Sequence, residues 1–152
     1  MRKESILLIQ EFLIHPPILF SYLFGSRAKG LHNPRSDWDV AVFLSGPVEK
    51  YGRWFLFELE AKLSSRLGET VQILLLNRPF PPLLGFEIVK HGILLTDRNE
   101  QLRLDFENRV LRSYHDWQFF SERHMKADFS KANLGSYKNQ RGPIASRKSK
   151  KV

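Results

Sequence analysis

Asp37 and Asp39 stand one residue apart, directly before the apolar run Val40-Ala-Val-Phe-Leu44. Side chains alternate along a strand, so residues two apart share a face. A strand that begins at or just before Asp37 therefore aims both carboxylates the same way. Two such groups on one face repel unless a cation lies between them. Mg²⁺ suits that place, because it takes oxygen ligands and is held by one or two carboxylates plus substrate phosphates.

Upstream stands Gly25-Ser26, with ten residues between Ser26 and Asp37. Glycine lets a backbone approach a bulky anion closely. The N–H groups of such a turn, and of a helix that starts there, favour phosphate. The Ser26 hydroxyl adds a donor, and Arg27, Lys29 and Arg35 supply positive charge. One end of the stretch suits phosphates and the other suits metal ions. That pairing belongs to phosphoryl or nucleotidyl transfer.

The elements that must hold these residues follow from the pattern around them. Ile18 to Phe24 predicts a strand that stops at Gly25, and Trp38 to Leu44 predicts a second. Trp38, between the aspartates, faces the core. Before them, Lys3 to His15 reads as a helix ended by Pro16-Pro17. After them, Glu49 to Leu67 reads as a helix with Phe55, Leu56, Leu59, Leu63 and Leu67 on one side and Gly68 as its stop. Thr70 to Leu76 predicts a third strand, whose apolar run Ile73 to Leu76 implies burial on both faces. Asn77 is placed to cap a helix that starts near Phe80-Pro81-Pro82 and ends around His91-Gly92. A brief strand follows at Ile93 to Thr96. A long helix runs from Asn99 to about Lys126, with Phe106, Val110, Tyr114, Trp117 and Phe120 along one stripe. The expected fold is α+β (α/β), a small mixed sheet packed by helices.

Composition sets the outer limits. The 152 residues are enough for one domain with a real core, and 42% are hydrophobic. There is no cysteine, so disulfides and thiolate metal ligands are excluded. No stretch reads as a membrane span or a cleavable leader, which points to the cytoplasm. The net charge of +8 is uneven. From Phe129 to Val152 there are seven basic residues and no acidic one, and the remainder is close to neutral. We divide the chain into a domain over residues 1–126 and a basic C-terminal tail over 127–152. The tail hints only weakly at nucleic acid, for it has only two aromatic residues, Phe129 and Tyr137, that could stack on bases.

Taken together, Gly25, Ser26, Asp37 and Asp39 match the Gly-Ser-x10-Asp-x-Asp signature. The chain resembles the nucleotidyltransferase superfamily with the DNA polymerase beta-like fold. Within it, the likeness is to the minimal nucleotidyltransferases, the MntA-like antitoxins. "SDWDVAV", "VQILLLNRPFPPLLGFEIVKHGILL" and "RLDFENRVLRSYHDWQFF" carry it further, over roughly residues 3 to 125. The resemblance implies two Mg²⁺ ions on Asp37 and Asp39, with ATP as the substrate. It implies a triphosphate on Gly25, Ser26, Arg27 and Lys29, and a long final helix. The acceptor it implies is a tyrosine of a HEPN-domain toxin.

One departure stands out. The family's third carboxylate falls at Gln72 in "TVQILLLN". Glutamine offers a carbonyl oxygen but cannot act as a base at neutral pH. Glu69, three residues earlier, is expected in a turn. Three functions are therefore weighed: an antitoxin that transfers AMP, a degenerate binder of nucleotide or toxin, and a small-molecule (antibiotic) nucleotidyltransferase. A minimal domain leaves an open groove, which favours a macromolecular acceptor or a site completed by a second copy of the chain.

Overall fold

The computed structural model describes residues 3–124, up to the backbone of the last residue. The expected domain end near 126 and the basic tail lie outside the described residues. Helix α1 (Lys3–Leu13) leads into strand β1 (Ile18–Phe24). A single-turn helix, α2 (Ser26–Lys29), opens the loop to β2 (Trp38–Leu44). Then come α3 (Phe55–Leu67), β3 (Val71–Leu75), α4 (Pro82–His91), β4 (Ile93–Asp97) and α5 (Glu100–His124). The sheet order is β3-β2-β1-β4. β1 is antiparallel to both β2 and β4, and β2 is parallel to β3. The sheet is mixed and the class is α+β, as expected.

Alternation along the strands sends each residue to one of two cores. Trp38, Val40, Val42, Ile73 and Leu75 pack beneath α1 and α3. Phe20, Tyr22, Ala41, Leu74 and Leu76 pack beneath α4 and α5, with Ile88, Phe106 and Val110. Asp39 and Gln72 share the phase of this second set, so the site opens on the α4–α5 side. Glycine allows α4 and α5 to meet closely: a Cβ at Gly85 would stand 3.0 Å from Val110. Tyr22 donates to Glu107 at 2.6 Å and so ties α5 to the sheet. Burial and that carboxylate push the phenol far above its ordinary range.

β3 is buried on both faces, yet it lies at the sheet edge. Its outward N–H groups are taken by α3: Val71 donates to Ser64 Oγ at 3.0 Å and Ile73 to Glu60 Oε2 at 2.6 Å. At the opposite edge, Gln10 of α1 donates to the Leu95 carbonyl at 3.0 Å. Helix side chains thus cover groups that would otherwise invite another strand.

Two local expectations are corrected. The segment from Glu49 to Leu67 is not one helix. A 3₁₀ turn (Val48–Tyr51) is cut off by Gly52 at φ 82°, and α3 starts afresh at Phe55. Asn77 does not cap α4, whose cap position is Pro81. Its amide instead accepts from Leu44 N at 2.8 Å and donates to Leu44 O at 2.9 Å, closing the end of β2. The α5 stripe is core only as far as Val110. Tyr114 stacks on Phe86 with ring centroids 4.1 Å apart, and Phe120 is exposed.

Candidate active site

The site forms where β1 ends, β2 begins and β3 begins. Phe24 is paired with Asp39 across the antiparallel ladder, and Asp39 with Gln72 across the parallel one. Gly25, Asp39 and Gln72 are therefore neighbours because of strand register. Gly25 adopts φ 78° and ψ −159°, a region that is essentially glycine's alone. A Cβ there would also fall 2.5 Å from Asp39 Oδ2. The glycine is required twice, by its backbone and by the carboxylate beside it.

Asp37 precedes β2 by one residue. Its carboxylate nonetheless reaches Gln72, whose Nε2 donates to Asp37 Oδ2 at 2.8 Å. The two aspartates and Gln72 thus form one group. Trp38 between them is fully buried in the opposite core, as expected.

The loop between Ser26 and Asp37 is fastened at several points. The backbone of Asn33 and Ser36 is cross-bonded, with Asn33 N donating to Ser36 Oγ at 2.9 Å and Ser36 N to Asn33 O at 3.0 Å. Arg27 donates through Nε and Nη2 to the Ser36 carbonyl, at 3.1 and 2.8 Å. Its guanidinium lies 4.3 Å from the Trp38 ring centroid and 3.8 Å from Glu69. Arg27 is 3% exposed. This geometry spends Arg27 on setting the loop, which was not foreseen, rather than presenting it to a triphosphate. Glu69 has the matching task, for it accepts from Trp38 Nε1 at 2.5 Å. No local pattern links this pair: Arg27 lies 11 residues before Trp38 and Glu69 31 residues after it.

Ser26 opens α2 and is half-buried. Lys29 closes that turn and pairs with Glu87 of α4 at 2.8 Å. The ammonium holds the Glu87 carboxyl below its ordinary value. Arg35 is exposed in the loop.

Among the described residues no cluster of three or more His, Cys, Asp and Glu is disposed to hold a metal. The third polar side chain of the group, Gln72, is an amide rather than an acid. The donors that remain, two carboxylates and an amide carbonyl, are all oxygens. They fit a hard cation that completes its shell with water and phosphate.

Residues 8–101, more than half of the chain, match the family described as Polymerase beta, Nucleotidyltransferase. The chain belongs to the polymerase beta nucleotidyltransferase family. It is a nucleotidyltransferase. Among solved structures it is similar to a toxin-antitoxin crystal structure with AMP-PNP, at 26% identity and a TM-score of 0.62. That match covers 80% of this chain and 94% of the other. It shares its fold with a chain from the complex of a tri-AMPylated Shewanella oneidensis HEPN toxin with MNT antitoxin. There the identity is 23% and the TM-score 0.62, over 80% and 93% of the two chains. A chain of the MntA-HepT toxin-antitoxin crystal structure has the same fold, at 24% identity and a TM-score of 0.59, over 80% and 93%. No curated protein is similar enough to count as a relative.

Proposed function

We propose that the protein is the antitoxin of a toxin-antitoxin pair and moves AMP from ATP onto a tyrosine hydroxyl of a HEPN-domain toxin, with Mg²⁺, in the cytoplasm. The observation that carries the reading is the register that places Gly25, Asp39 and Gln72 side by side, with Asp37 bonded to Gln72. The likeness to a toxin-antitoxin structure with AMP-PNP supports the partner and the nucleotide. No helix among the described residues is long and apolar enough to cross a membrane.

Asp37 and Asp39 would hold Mg²⁺, which when bound neutralises phosphate charge and orients the reacting oxygens. Gly25 and Ser26 border the triphosphate, and Lys29 reaches it by exchanging Glu87 for phosphate. Arg27 acts indirectly, by fixing the loop that sets Asp37. The acceptor oxygen bonds to the α-phosphorus, the bond to the bridging oxygen breaks, and pyrophosphate leaves. Gln72 cannot take the acceptor's proton, so the proton passes to water. Transfer is slower than a third carboxylate would allow.

A second reading rests on the same amide. Gln72 donates to Asp37, and a site closed in this way could retain nucleotide or toxin without turnover. The test is co-purification with a HEPN-domain protein encoded beside this chain, then intact mass after incubation with ATP and Mg²⁺. A gain of AMP on the partner, absent with Asp37→Asn/Asp39→Asn, is expected. A stable complex with no mass gain would leave the binding reading instead.

A further inference from the structure

A groove of about 480 Å³ lies between the β3–α4 loop and α5. Phe80, Phe106 and Val110 form an apolar floor, and Arg78, Arg109 and Arg112 stand around it. Arg109 and Arg112 are one turn apart on α5. All three arginines are exposed. Among the described residues no carboxylate is within ion-pair range of any of them. Three other cations are paired or bonded: Arg103 to Asp97 and Glu107, Lys29 to Glu87, and Arg27 to the loop.

The groove is separate from the carboxylate pair but lies on the same face of the sheet. Gln72, Leu74 and Leu76 alternate onto one side of β3, and Leu76 lines the groove. Four residues of strand set Leu76 about 13 Å from Gln72. Resting on the transfer reading above, we propose that this groove docks an acidic, apolar-anchored segment of the acceptor protein, beside the site where its hydroxyl reacts. Arginine forks bind carboxylates bidentately, and the floor accepts an apolar side chain between them. Charge complementarity selects the occupant. The chain's own C-terminal segment is basic and would be repelled. Stacking on nucleic acid is disfavoured, because Phe106 is 3% exposed and Phe80 is half-buried, so neither ring of the floor is fully open.

The test uses the full chain and a fluorescein-labelled twelve-residue peptide of mixed glutamate and leucine. Saturable, salt-sensitive binding is expected, weakened at least about tenfold by Arg109→Glu/Arg112→Glu. Lys148→Gln/Lys150→Gln/Lys151→Gln should leave it unchanged, which separates groove from tail. ATP binding, measured on the same variants, should persist in the arginine variant and so reports on the catalytic site independently. Arg109→Gln/Arg112→Gln, with an unchanged melting temperature, guards against misfolding. Absence of peptide binding, binding that depends on the tail lysines, or tighter arginine-dependent binding of a single-stranded RNA twelve-mer would each overturn the proposal.

Discussion

At the scale of single residues, the site depends on one missing methyl group. Gly25 holds a backbone conformation that other residues resist, and a Cβ there would press on Asp39 Oδ2 at 2.5 Å. Gly25→Ala is therefore expected to displace the carboxylate rather than merely crowd a loop. A shift of about 1 Å at a reacting centre can cost about 10²-fold in rate. Radiolabelled AMP transfer by Gly25→Ala should fall by about that factor, while thermal melting still shows a folded protein. A variant with native transfer rate would show that the contact has no bearing on chemistry. That Gly25 and the aspartates would lie near one another was legible from their joint spacing between two strands. The uses of Arg27 and Lys29 were not, because sequence gives a side chain's charge but not its partner.

At the scale of elements, strand positions were readable because alternation and glycine stops are local signals. The pairing order was not, for β3-β2-β1-β4 depends on which edges α1 and α3 cover. Asn77 shows the limit well. Its local setting suits a helix cap, but the Leu44 backbone, distant in sequence, claims both ends of its amide. The expected helix over Glu49 to Leu67 ran across Gly52, although the apolar stripe behind it begins only at Phe55, where α3 starts. The link between α2 and α4 carries a pH prediction. Lys29 lowers the Glu87 pKa in the folded protein. Stability from this pair is thus fully present above the ordinary value of 4.5 and lost as pH falls through the lower folded value. The pair is partly exposed, so screening limits it to at most about 1 kcal/mol. Denaturant titrations of native protein and Glu87→Gln should converge as the medium is acidified below that range. A gap that widens on acidification would contradict the assignment.

At the scale of the molecule, two layers of helices share the work. α1 and α3 pack one face and cover groups at both sheet edges, while α4 and α5 pack the other face, toward which Asp39 and Gln72 are phased. Register also gives Gln72 a defined place: it is opposite Asp39 and bonded to Asp37. The decisive measurement is the rate of labelled-AMP transfer to a co-purified HEPN-domain partner by the native chain and by Gln72→Asp. Slow but measurable transfer by the native chain, raised about 10²-fold by the substitution, is the predicted result. Equal, robust rates in both proteins, or no transfer by either, would contradict it.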